Sequence, residues 1–107
     1  MKEAYPVLLT KTKDTKNTIL VEVPDLNIQT EGYGIADAIE MARDAIGLEI
    51  ITREDEGIDI KEPSAIEKIN KDEGIFSGEG ETCVTYVDVD LAEYRKKVDR
   101  RTVRRNV

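Results

Sequence analysis

The sequence predicts an α+β fold, a small antiparallel sheet of three to four strands with one main helix packed on it. Short runs rich in β-branched residues, separated by polar turns, occupy the N-terminal third of the chain. One amphipathic helical stripe follows them, and a further alternating run comes after a glycine-rich loop. Because a sheet of this size needs a cover to be stable, the apolar side of the helix is expected to face it.

The first three strands are predicted from alternation and from the residues that stop them. Residues 5–12 place their apolar side chains on one face, and residues 18–23 are rich in β-branched residues and end at Pro24. A short polar link joins these two runs, which indicates an antiparallel hairpin. Residues 28–31 are a candidate third strand, closed by the turn signal of residues 32–34.

The main helix is predicted from one apolar stripe that begins at Ile35. Its members recur at spacings of three and four residues, and they are Ile35, Ile39, Ala42, Ile46 and Ile50. Asp37 lies near the start of this segment, where the helix dipole favours negative charge. The helix is expected to end before Gly57.

The second half of the chain is predicted to hold a short helix, a loop and a last strand. Ser64 and Glu67 have capping-box spacing, which predicts a short helix over residues 65–71. Residues 74–80 contain three glycines and are expected to form a flexible loop. Residues 81–91 alternate again, with Cys83, Val87, Val89 and Leu91 on one face and Asp88 and Asp90 on the other.

The charge of the chain is distributed very unevenly. Residues 1–94 carry nine Lys and Arg against twenty-two Asp and Glu, whereas residues 95–107 carry seven basic residues against one acid. An acidic body attracts basic protein surfaces and repels nucleic acid, and a basic tail does the reverse. Contact with nucleic acid is therefore expected through the tail arginines Arg100, Arg101, Arg104 and Arg105.

The composition argues against several classes of enzyme and site. The chain has no histidine, which removes the commonest general base and the commonest metal ligand. Cys83 is the only cysteine, so it has no internal disulfide partner and is expected to be a reduced core residue. No apolar run approaches the length of a membrane span, and we expect a cytoplasmic protein.

One alternative from the residues alone is a metal-dependent nuclease. Asp25, Glu31, Asp88 and Asp90 would have to converge on one or two ions for this chemistry. Alternation of aspartate with valine is also what a half-solvated strand shows, and an acidic body contains many carboxylates. The preferred prediction from the sequence is therefore that the chain has no metal site, no cofactor and no catalytic residue.

The order and spacing of several motifs resemble the HicB-like antitoxins of bacterial toxin–antitoxin pairs. The resemblance begins with Tyr5-Pro6-Val7, a hairpin and Val23-Pro24-Asp25-Leu26, and continues with Gly34 and the helix of residues 37–47. It then includes Glu62-Pro63-Ser64, the strand of residues 84–90, and the basic tail. It covers nearly the whole chain.

This resemblance implies a partial ribonuclease-H-like fold without catalysis, and a partner that is a small, basic, RNA-cleaving toxin of the HicA type. It implies neutralisation of that toxin by occlusion of its RNA-binding or catalytic surface. Relatives with a C-terminal ribbon-helix-helix or helix-turn-helix unit repress their own operon, which implies DNA as a second partner and a homo-oligomeric state.

These expectations assign parts of the chain to separate tasks. Residues 1–91 are expected to form the toxin-binding domain, with Asp25, Glu31 and Asp37 as candidate contacts at the hairpin end and the helix start. Residues 92–107 are expected to form a basic extension in which residues 104–107 begin the ribbon strand of a DNA-binding unit. A metal-dependent nuclease and a free-standing DNA-binding regulator are the alternative functions.

Overall fold

Four strands form one antiparallel sheet in the computed structural model, which describes the backbone of residues 2–105 and the side chains of residues 2–98. The strands are β1 (Lys2–Lys11), β2 (Thr18–Val23), β3 (Ile28–Tyr33) and β4 (Glu81–Asp90). Their order across the sheet is β3-β2-β1-β4, so β3 and β4 are the edges. The predicted α+β class is confirmed with four strands, while the partial ribonuclease-H-like arrangement stays a prediction.

The β1–β2 hairpin is closed by side-chain hydrogen bonds in its turn. The carboxylate Oδ1 of Asp14 accepts hydrogen bonds from the backbone N–H groups of Lys16 and Thr18, each at 3.1 Å. Asn17 adopts a left-handed conformation with φ 59°, which asparagine tolerates better than most residues. The turn fixes the register in which Leu9 lies opposite Val21, so both side chains face the same side of the sheet.

The main helix, α1 (Ile35–Glu56), packs across one face of the sheet. It ends where Gly57 takes a left-handed conformation with φ 69°, and Ile58 N–H donates to the carbonyl of Arg53 at 2.8 Å. At its start, Gly32 lets the helix approach β3 closely. A Cβ on Gly32 would lie 2.6 Å from the backbone nitrogen of Ala38, so a larger residue would push the helix off the strand.

The core lies between α1 and the sheet, and the helix buries a slightly different stripe from the predicted one. The helical side chains that are fully buried include Ala38, Ala42 and Ile46. The prediction was wrong for Ile35, which is 49% exposed, and Ile39 is only partly buried. The sheet contributes inward side chains from β1, β2 and β4: Tyr5, Val7, Leu9, Ile19, Val21, Val23, Val87 and Val89.

Residues 57–80 form a connector that contains only short 3-10 helices, at Ile66–Lys68, Lys71–Glu73 and Ser77–Glu79. The predicted capping box and α-helix over residues 65–71 are therefore wrong. Ser64 does not cap the first of these turns, because its hydroxyl donates to the carboxylate of Asp25 instead, at 2.7 Å.

The connector covers the face of the sheet opposite α1. Side chains from the strands hold its backbone in place. The Tyr86 hydroxyl accepts from Ile66 N–H at 2.8 Å, and Glu22 accepts from Ile75 N–H at 3.0 Å. Leu8, whose side chain points away from α1, is only 3% exposed because Gly74 and its neighbours lie against it. The central strand β1 is therefore buried on both faces.

A second helix, α2 (Leu91–Arg105), follows β4 directly. The expectation that a ribbon strand begins at residue 104 is wrong for Arg104 and Arg105, whose backbone is helical, and residues 106–107 lie outside the described chain. The helix was missed because apolar residues are sparse there. Leu91, Tyr94 and Val98 nevertheless recur at spacings of three and four, and that signal would have identified it.

Candidate functional site

Asp25, a predicted toxin contact, is buried at the end of β2 and holds the connector. Its side chain is 2% exposed, and its carboxylate accepts from the N–H and the hydroxyl of Ser64, both at 2.7 Å, and from Lys61 Nζ at 2.9 Å. Burial, the largest single influence, raises the pKa of Asp25, but the hydrogen bonds from Ser64 and Lys61 outweigh it. The pKa therefore lies below its ordinary value. This geometry gives Asp25 a structural task.

Glu31 and Asp37, the other two predicted toxin contacts, meet around Tyr33 at the opposite end of β3. The backbone N–H of Tyr33 donates to Oδ2 of Asp37 at 2.8 Å, and its hydroxyl donates to Oε2 of Glu31 at 3.4 Å. Both acids are exposed. The structure therefore brings two of the three predicted contacts together and places Asp25 away from them.

The acids proposed for a metal-dependent nuclease do not converge. Asp88 forms an ion pair with Arg43 at 3.1 Å, and the hydrogen bond from Arg43 holds the pKa of Asp88 below its ordinary value. Asp90 accepts from the N–H of Glu93 at 3.2 Å at the start of α2. Asp25 lies just after the end of β2, and β1 separates that strand from β4. Among residues 2–98, no group of three or more carboxylates or cysteines could hold a metal ion.

Cys83 lies on the edge strand β4 and is exposed, so its prediction as a core residue is wrong. Its strand has the predicted alternation, with Val87 and Val89 buried. The ion pair of Arg43 with Asp88 shows that α1 crosses β4 at that end. Burial therefore falls away towards Cys83 at the other end of the strand.

The packing of α2 on α1 depends on Tyr94. Its ring lies against Gly47, where a Cβ would come within 2.8 Å of ring atoms Cγ and Cδ2. Its hydroxyl donates to Oδ1 of Asp44 at 3.1 Å. Arg95, one of the basic residues of the tail, forms ion pairs with Glu54 at 2.9 Å and Asp55 at 3.0 Å. The first turns of α2 are therefore attached to the acidic body.

A groove of about 440 Å³ lies between α1, the end of β4 and α2, and we call it the α1–α2 groove. Its floor contains the apolar side chains of Met41, Val89 and Tyr94. Charged side chains form its rim, with the acids Asp37, Glu40, Asp44, Asp90 and Glu93 and the bases Arg43 and Lys97. Of these acids, sequence reasoning had selected only Asp37 as a protein contact. The others were missed because the groove exists only once α2 packs on α1.

The arginines predicted to contact nucleic acid are Arg100, Arg101, Arg104 and Arg105. Their backbone forms the later turns of α2, and their side chains lie outside the described residues. Within the described part of the chain, no helix is both long and apolar enough to span a membrane.

Comparison with known proteins gives a family and a set of similar structures. The model of the HicB-like antitoxin of bacterial toxin–antitoxin systems matches residues 5–106. A chain of a toxin–antitoxin complex from Streptococcus pneumoniae is 26% identical, with a TM-score of 0.70 over 88% of this chain and 73% of that one. No curated protein sequence matches significantly.

Two structures of the antitoxin HicB from Burkholderia pseudomallei are also similar. One is 26% identical with a TM-score of 0.64, over 86% of this chain and 65% of that one. The other, its N-terminal domain, is 28% identical with a TM-score of 0.63, over 82% of this chain and 99% of that one. Because the family model matches nearly the whole sequence, the chain belongs to the HicB-like antitoxin family of bacterial toxin–antitoxin systems.

Proposed function

We propose that this chain neutralises a small, basic, RNA-cleaving toxin of the HicA type by covering its RNA-binding or catalytic surface. The observation that carries the proposal is the family match over residues 5–106. The similarity to a chain of a toxin–antitoxin complex supports it. Neutralisation by direct contact requires a surface that is complementary to the toxin, and the acidic body of this chain is complementary in charge to a basic protein.

The charge of the body supports this partner. Residues 1–94 hold twenty-two acids against nine bases, and surfaces that handle RNA carry the opposite sign. A negative body attracts such a surface and competes with the phosphates of RNA for it. Electrostatic complementarity of this kind chiefly raises the association rate and selects the partner.

We also propose that the chain itself catalyses no reaction. The chain has no histidine, and the carboxylates considered for a nuclease are each engaged elsewhere. A set of ligands for a divalent ion needs several acids directed at one point. Asp25, Asp88 and Asp90 each bind a different partner within the protein, which supports a structural role for all three.

Direct binding to the toxin is the experiment that tests the proposal. The partner to be tested is any small basic protein encoded beside the gene for this chain, purified with its catalytic residue inactivated. We expect saturable binding in calorimetry with a Kd below about 1 μM. No heat of binding and no co-elution at about 10 μM of each protein would contradict the proposal.

A weaker, non-specific contact with DNA is proposed for the basic extension. Phosphate contacts position a protein without specifying sequence, and the tail arginines provide the charge for such contacts. Binding to the promoter and to scrambled DNA should be similar and should fall steeply with salt. The affinities are measured at two salt concentrations. A hundredfold preference for the promoter that persists at the higher concentration would show that the chain already recognises a specific DNA sequence.

A further inference from the structure

We propose that the α1–α2 groove is the docking site for a basic segment of the toxin, with a long cationic side chain lying in it. The inference rests on the proposed function and assigns the surface at which that function takes place. Only Asp37 of this groove was among the contacts selected from sequence.

Among the described side chains, no cation forms an ion pair with Asp37, Glu40 or Asp90 of the groove, whereas Glu93 pairs with Lys96 at 3.4 Å. Asp37 accepts from a backbone N–H of Tyr33, Asp90 accepts from a backbone N–H of α2, and Asp44 accepts from the Tyr94 hydroxyl. The donors to Asp37 and Asp90 are backbone N–H groups, which are neutral, so they hold these two carboxylates in place without cancelling their charge. Glu40 makes no hydrogen bond or ion pair with the described residues, which leaves its carboxylate exposed on the rim.

Among the described side chains that line the groove, two are basic and five are acidic. Arg43, one of the two bases on the rim, pairs through its guanidinium with Asp88 at 3.1 Å and also donates to the Asp88 carbonyl at 2.8 Å. Lys97 remains on the α2 side. The groove therefore attracts a cation and repels the phosphates of RNA and DNA.

The apolar floor indicates which kind of cation the groove binds. Met41 is 40% exposed, and it lines the groove together with Val89 and Tyr94. Arginine and lysine bury their methylene stems on apolar surface while the charged head stays among polar groups. A floor of this kind under an acidic rim therefore fits a long basic side chain better than it fits a small inorganic cation.

A toxin surface is the occupant that this chemistry favours. A protein that cleaves RNA presents clustered Lys and Arg, and those are the side chains that the groove accepts. Occupation of the groove would also use the basic residues that the toxin needs for RNA. The same contact would then both hold the toxin and remove part of its RNA-binding surface.

The test compares two charge reversals on the full chain. Glu40→Lys places a positive charge on the rim of the groove, and Glu67→Lys makes the same change of net charge on the connector, outside the groove. The equal net charge removes any difference in long-range attraction. Both residues are exposed, and circular dichroism checks that both variants fold.

We expect Glu40→Lys to weaken binding of the toxin by at least about tenfold in calorimetry, because it sets like charges against each other at a docking site. Glu67→Lys should change the Kd by less than about threefold. Glu40→Gln, which removes the charge without reversing it, should give an intermediate loss.

The possible outcomes separate this proposal from the proposed function. If the toxin binds the wild-type chain and both lysine variants equally, the groove is not the docking site, although the antitoxin function stands. If the toxin does not bind the wild-type chain, both proposals are overturned. A loss in Glu40→Lys that is absent from Glu67→Lys supports both.

Discussion

At the scale of single residues, Asp25 shows how a carboxylate in an acidic protein becomes structural. Three donors converge on it, from the backbone and hydroxyl of Ser64 and from Lys61, and together they attach the connector to the end of β2. A buried carboxylate is costly unless it is paired and hydrogen-bonded in this way. The carboxylate of Asp25, which the sequence suggested as a contact for a partner, therefore already binds residues of its own chain.

We predict that Asp25→Asn destabilises the protein by about 1–3 kcal/mol at neutral pH, because the amide cannot accept from all three donors. Urea unfolding measures the change. Asp88→Asn is the control, since Asp88 is exposed and pairs at the surface, and its loss should be much smaller. Equal losses in the two variants would show that the connector does not depend on Asp25.

The pH dependence of this difference has a definite sign. The folded pKa of Asp25 lies below its ordinary value of 3.8, so the ionised form stabilises the folded state. Its contribution is complete well above pH 3.8 and is lost as the pH falls through the lower folded pKa. The stability gap between wild type and Asp25→Asn should therefore narrow on acidification.

At the scale of elements, the attachment of α2 depends on the absence of a side chain at Gly47. We predict that Gly47→Ala detaches α2, because the added Cβ would come within 2.8 Å of the Tyr94 ring. Alanine would otherwise favour a helix by about 1 kcal/mol, so the expected effect has the opposite sign from helix propensity. Overpacking of this kind costs about 1–3 kcal/mol.

Limited trypsin digestion measures the detachment through cleavage after Arg95, Lys96 and Lys97. Cleavage should become roughly tenfold faster or more, since it follows the population of the open form. Gly78→Ala is the matched control, because a Cβ there would meet no atom within 4 Å. If Gly47→Ala and Gly78→Ala are cleaved at the same rate, Tyr94 does not hold α2 on the body.

The elements that could be predicted from sequence are those with a strong local signal. Alternation and Pro24 identified the hairpin, and the apolar stripe with Gly57 placed α1. The burial of individual members could not be read from the stripe. Ile46 lies in the middle of α1 and is buried, whereas Ile35 begins the helix and is exposed, and no periodicity distinguishes the two.

The elements that could not be predicted depend on tertiary contacts. The connector has little regular structure, and its position is set by hydrogen bonds that its backbone donates to Tyr86, Glu22 and Asp25, which are distant from it in sequence. The α1–α2 groove likewise forms from three separate elements. A candidate site of this kind is not visible as a motif, which explains why Asp37 alone of its acids was predicted as a partner contact.

At the scale of the whole molecule, the acidic body predicts a strong effect of salt on association with the toxin. Raising the ionic strength from about 0.01 M to about 1 M shortens the Debye length from about 30 Å to about 3 Å. The association rate should fall by about tenfold or more in stopped-flow measurements, while the dissociation rate changes less. An association rate that does not change with salt would show that charge does not steer the encounter.

We propose that this member of the HicB-like antitoxin family neutralises an RNA-cleaving toxin by direct contact. The most direct measurement is the cleavage of labelled RNA by the active toxin, titrated with this chain. We predict that cleavage falls to background once the chain saturates the toxin, and that the chain alone leaves the RNA intact with or without divalent metal. Undiminished cleavage at a saturating concentration of the chain would contradict neutralisation of the toxin by direct contact.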